Sequence, residues 1–150
     1  MVESTDSLSH VDFGLPQRLS SDDPLNSCLN SLMEVETMKY MLLIYFQEKA
    51  ELSEKMRQDC YDESVKLAEQ LRSKGQYVAA NPLHPVAMAT SVRIRDGKPL
   101  VTDGPFAETH EQLGGYFLIE AKNLDEAIAV ALKIPMASKG TVEVRPVIEF

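Results

Sequence analysis

Residues 114–135, GGYFLIEAKNLDEAIAVALKIP, decide the fold, because the hydrophobic period changes inside them. From Gly115 to Ala121 the side chains alternate, with Tyr116, Leu118 and Glu120 on one face and Phe117, Ile119 and Ala121 on the other, which is the period of a strand. From Asn123 the spacing becomes helical. Asn123 and Glu126 fit a capping box, Leu124, Ala127, Ile128, Ala131 and Leu132 form the expected buried side, and Pro135 follows the end.

Working outward, the same strand-to-helix unit recurs upstream. Tyr40–Phe46 is a short, nearly all-apolar run, expected to be a central strand buried on both faces. Ser53 can cap a helix whose stripe of Met56, Cys60, Leu67, Ala68 and Leu71 points to a core, and Gly75 offers a left-handed stop. "QYVAANPLHP" is a short strand ended by Pro82 and Pro85. "TSVRIRDGKPLVT" is a hairpin turning on Asp96-Gly97, with Pro99 confining part of it to a sheet edge. A last strand covers Val142–Ile148. Gly114 and Gly115 lack the spacing of a phosphate loop and predict a bend or bulge entering their strand. Without the hairpin, the order is strand, helix, strand, strand, helix, strand: an α+β, ferredoxin-like βαββαβ unit with an additional β-hairpin. Both helices then lie on one face of an antiparallel sheet, and a second copy covering the other face predicts a homodimer.

The chain has 150 residues and a net charge of −8, but the charge is unevenly spread. Residues 1–37 carry seven acidic side chains against Arg18 alone, whereas residues 38–150 hold 16 acidic and 14 basic groups. That nearly neutral body offers no broad basic footprint, so direct nucleic-acid binding is not expected. The leader is rich in Ser, Asp and Asn, is interrupted by Gly14, Pro16 and Pro24, and is expected to be mostly disordered. His10 within it is read as solvated. The abrupt start of "MKYMLLIYF" makes Met38 a candidate translational start, a reading that peptides from residues 1–37 in the natural protein would refute. No run reaches the roughly 18 apolar residues of a membrane helix, and residues 1–20 lack the pattern of a secretory signal, so the cytoplasm is the expected compartment and no membrane partner is expected. Cys28 and Cys60 are read as free thiols.

The chemistry-bearing stretch is "VTDGPFAETHEQLGGYF", residues 101–117. Gly104 before Pro105 is pushed toward extended geometry, Pro105 fixes its own φ, and Asp103 can accept backbone N–H groups. Asp103 has two readings: a carboxylate that only ties down a rigid turn, or a general acid or base at a cleft rim with Phe106 facing inward. His110 is a weaker catalytic candidate. His84, Phe106, Glu108, Tyr116 and Arg93 are candidate substrate-binding groups, Arg93 and Arg95 standing on the hairpin face opposite Val92 and Ile94. His84, Asp103, Glu108, His110 and Glu111 include metal-ligand types, but no pair has a recognised metal spacing, so no metal and no cofactor are expected.

"VRIRDGKPLVTDGPFAETHEQLGGYFLIEAKNLDEAIAVALKIP", followed by "GTVEVRPV", resembles the DGPF branch of the YCII-related family, and "MKYMLLIY" is similar to that family's opening strand. The resemblance spans residues 38–150. It implies a ferredoxin-like fold assembled as a dimeric α+β barrel, and an enzymatic role suggested by an acidic site residue. It names no general reaction. It also implies a possible sigma-factor association, since relatives often accompany extracytoplasmic-function sigma factors. His110 stands where the family commonly has lysine, and residues 1–37 have no counterpart.

Two functions follow. One is a small, cofactor-independent enzyme-like dimer in which Asp103 moves a proton on a small ligand in a rim pocket. The other is a noncatalytic regulatory or interaction module with an exposed apolar patch.

Overall fold

The computed structural model describes residues 36–49 and 53–150; the expectations for the leader, including Cys28 and His10, fall outside this range. Among the described residues, six strands and two helices follow in the order β1 (Met38–Phe46), α1 (Glu54–Ser73), β2 (Tyr77–Pro82), β3 (Thr90–Arg95), β4 (Lys98–Asp103), β5 (Gln112–Ala121), α2 (Leu124–Ala131) and β6 (Thr141–Pro146). The sheet is four-stranded with order β2-β5-β1-β6, and β3 and β4 form a separate two-stranded sheet. Each neighbouring pair is antiparallel. Strand β5 lies between β1 and β2, and β1 lies between β5 and β6, so each helix links two strands across an intervening third. This is the ferredoxin-like arrangement.

The local signals that start and stop the elements operate as their chemistry predicts. Ser53 accepts a hydrogen bond from the Met56 N–H (3.2 Å), and Gly75 adopts φ +70° after α1. Asn123 Oδ1 accepts from the Glu126 N–H (2.9 Å), while the Glu126 carboxylate reaches back to the Lys122 N–H (2.7 Å). Asp96 and Gly97 have φ of 51° and 72°, the paired positive angles of a two-residue hairpin turn. Opposite β1, the register passes from Ile44↔Gly115 to Tyr45↔Leu113, which leaves Gly114 as the extra residue of a bulge. A side chain at Gly114 would meet the Phe46 ring, with Cζ only 2.6 Å from its Cβ.

The core lies between the helices and one sheet face. Tyr40, Leu42 and Ile44 of β1 and Phe117, Ile119 and Ala121 of β5 meet Leu67, Ala68 and Leu71 of α1 and Ala127, Val130 and Ala131 of α2. Strand β1 therefore alternates between buried and half-buried side chains instead of being buried on both faces as its composition suggested. Its other face carries Met41, Leu43 and Tyr45 beside Tyr116 and Leu118, all half-exposed.

Two expected helix stripes are corrected. In α2 the buried side is Ala127, Val130, Ala131 and, just beyond, Ile134, while Leu124, Ile128 and Leu132 are exposed. The helix is apolar most of the way round, and packing against β5 and β6 selects the smaller side chains. In α1 only the C-terminal half is buried; Met56 is exposed and Cys60, a free thiol, is half-buried. No described helix is long and apolar enough to cross a membrane.

Candidate functional site

A cleft of about 1070 Å³ opens where the hairpin meets the end of the sheet. Its sheet side is built by Tyr45 and Glu143, which the register places on the same face of adjacent strands. Its other walls come from the 83–91 segment, from Val92 and Arg93 of β3, and from Pro105, Phe106 and Glu111 of the loop before β5.

Backbone and side-chain hydrogen bonds fix these walls. The Glu48 carboxylate accepts the Val86 N–H with both oxygens (3.0 and 3.1 Å), holding a short turn of 3-10 helix at Val86–Met88. The Glu48 N–H itself donates to the Gln112 side chain (3.1 Å), so one residue ties the end of β1 to both the 84–88 segment and the start of β5. The Asp-Gly-Pro-Phe bend is held from β3 and the residue before it. The Gly104 N–H donates to the Ala89 carbonyl (2.7 Å), Ser91 Oγ donates to the Gly104 carbonyl (2.8 Å), and Arg93 Nη2 donates to the Phe106 carbonyl (3.0 Å). Gly104 has φ +97°, a region that a side chain would strain. Further along, the Thr109 hydroxyl donates to the Glu111 carbonyl and the Gln112 amide to the Thr109 carbonyl.

Of the residues singled out in the sequence, His84, Arg93 and Phe106 line this cleft together. Phe106 remains 80% exposed at its mouth. Asp103 ends β4 opposite Thr90, is exposed, and is not among the lining residues; Glu108 and His110 are also exposed and outside it. The Tyr116 hydroxyl accepts from the Asn81 amide (3.2 Å) and faces a different cleft on the β2 side. Among the described residues, no three His, Cys, Asp or Glu side chains converge as metal ligands.

Sequence reasoning missed Tyr45, Glu143 and the bracing role of Glu48, and weighed Glu111 only as a metal-ligand type. Alternation along β1 could have placed Tyr45 on the face away from the helices, but its meeting with Glu143 needs the β1–β6 register. Partial burial raises the Tyr45 phenol above its ordinary value, and the Glu143 carboxylate adds to the shift while Arg145 opposes it. Tyr45 therefore stays neutral and able to donate a hydrogen bond. Its proton is held more tightly in the folded chain than in the unfolded one, so its stability contribution is present below pH about 10 and is lost as pH rises through the elevated folded value. In chemical denaturation, wild type should lose stability more steeply than Tyr45→Phe above that pH. Equal slopes would refute this account of the phenol.

Residues 38–150 match the YCII-related domain, three quarters of the chain. The chain belongs to the YCII-related family. Over 79 residues it is 46% identical to an uncharacterized protein of Rhizobium meliloti (strain 1021), a match covering 47% of this chain and 64% of that relative, so the chain spans less than two thirds of the relative's length. Within the YCII-related domain, the cleft lies between two segments that the sequence leaves far apart, the end of β1 and the loop preceding β5.

Proposed function

We propose that this YCII-related protein binds a small molecule in the cleft beside the Asp-Gly-Pro-Phe bend and acts on it as a cofactor-independent, enzyme-like homodimer. The observation that carries the reading is the cleft itself: a mostly apolar space of about 1070 Å³ into which Arg93, His84, Tyr45, Glu111 and Glu143 bring a few polar groups. Ligand sites are commonly apolar concavities of a few hundred to about 1,000 Å³ with a small number of such groups. Arg93 and His84 suit a ligand with an anionic or carbonyl oxygen. Asp103 is the proposed acid or base, and a second copy is the element proposed to bring its exposed carboxylate to a cleft. The half-exposed face of Met41, Leu43, Tyr116 and Leu118 is the proposed contact between copies.

The test is a thermal-shift screen of small carboxylates and carbonyl compounds against wild type, Arg93→Ala and Asp103→Asn, with light scattering on each. Hits on wild type that Arg93→Ala loses, and that Asp103→Asn still binds without turning over, are expected. Identical profiles for all three proteins would remove both residues from the site, and a clean monomer at micromolar concentration would remove the dimer.

The alternative reading, a noncatalytic module contacting a protein such as a sigma factor, is favoured by one observation: Val92, Ile94, Leu100 and Val101 of the hairpin are all exposed. Apolar side chains grouped on a projecting hairpin suit a protein partner. Turnover of any hit, abolished by Asp103→Asn, would decide against it.

A further inference from the structure

A second cleft, about 520 Å³, lies on the helix side of the same sheet end and, among the described residues, shares only Leu83 with the first. We infer that it is a separate binding site for a small amphipathic anion: a compact aromatic or short aliphatic body carrying one carboxylate.

The cleft exists because α1 packs with only half its length. Leu67, Ala68 and Leu71 are buried, whereas the preceding turns stand off the sheet and leave Cys60, Tyr61 and Val65 facing a gap. Ile44, Phe46 and Phe117 meet them from the sheet side. Protein interiors rarely leave apolar voids much larger than a water molecule, so a gap of this size between apolar walls is a space suited to an apolar guest. The bulge at Gly114 contributes: its missing side chain leaves room for the Phe46 ring beside the gap.

The polar groups specify the sign of the head group. Among the described residues, Arg57 and Arg72 are the charged groups lining the cleft, and none of the described lining residues is a carboxylate. The Arg72 guanidinium is held over the Tyr77 ring, 4.1 Å from its centroid, so part of its ordering cost is met before a ligand arrives. Arg57 approaches Glu54 (3.5 Å), an exposed pairing that a buried head group could replace. Lys139 adds a nearby cation, its Nζ 3.7 Å from Cys60 Sγ. In a chain of net charge −8, a pocket whose described charged lining is cationic favours anionic over cationic and neutral ligands of the same shape.

The probe is octanoate, titrated into the full chain and followed by amide chemical shifts, with octylamine and octanol as controls. Octanoate should shift Cys60, Ala68, Gly114 and Gly115 together, and octylamine should not. Arg72→Gln should weaken octanoate by about tenfold, the loss expected for one charge-assisted hydrogen bond. Cys60→Phe, which fills the cleft, should abolish saturable binding, while Arg93→Ala on the other cleft should leave it intact. Arg57→Gln, at an exposed position, tests the same head-group contact if Arg72→Gln disturbs the fold. Octanoate shifts centred on the hairpin, or an affinity indifferent to both arginines and to Cys60→Phe, would overturn the inference. Because the first cleft is tested through Arg93 and Asp103, failure of either site is distinguishable from failure of the other.

Discussion

Gly140→Ala is expected to lower the unfolding free energy by about 3 kcal/mol, at the upper end for adding a single methyl group to a packed site. A Cβ built there runs into the Tyr45 carbonyl oxygen and comes 3.0 Å from Phe46 Cα. Both obstacles belong to the last residues of β1, which is paired on both sides, so neither can swing away as a side-chain tip would. The damage also reaches the two clefts, since Tyr45 lines the larger and Phe46 the smaller. Urea denaturation measures the loss. A variant with unchanged midpoint and slope would show that the end of β1 yields more readily than its pairing implies.

Leu42→Ala should cost a similar amount, about 3 kcal/mol within the range for deleting a buried leucine side chain. Leu42 is 0% exposed and pairs in register with Phe117 on one side and Val144 on the other. With three strands and two helices around it, the site has little freedom to collapse into the space left behind. The midpoint of urea unfolding should fall while the slope is unchanged. A loss below about 1 kcal/mol would mean that the core relaxes around this position far more than close packing allows.

Much of this architecture could be read from the chain because local chemistry and global packing agree there. Alternation in β5, the caps at Ser53 and Asn123, and the Asp96-Gly97 turn each carry their own structural instruction. The stripe of α2 was misread because a short helix that is apolar on several sides offers overlapping stripes, and only the neighbouring sheet selects one. The stand-off of α1 was equally hidden, since Met56 and Cys60 repeat with core spacing although the first is exposed and the second only half-buried.

The candidate site was legible in part. His84, Arg93 and Phe106 were singled out because they lie in or beside segments with unusual turn chemistry, and the structure places all three along one cleft. Tyr45 and Glu143 sit in ordinary strand sequence, and only the antiparallel register makes them neighbours. Glu48 reaches Val86 from 38 positions away, a link that no local pattern announces. Asp103 drew notice through its motif, yet it is exposed and outside the cleft, so the role proposed for it requires the second copy proposed above.

The hairpin supplies no residue to the core cluster. Its length and decoration can therefore drift without taxing the folding of the four-stranded sheet, and its root can stay fixed through Ser91 and Arg93 while the tip is rebuilt. A lineage can thus retune what the larger cleft admits by editing a ribbon of about a dozen residues, leaving the foundation that keeps the protein folded untouched.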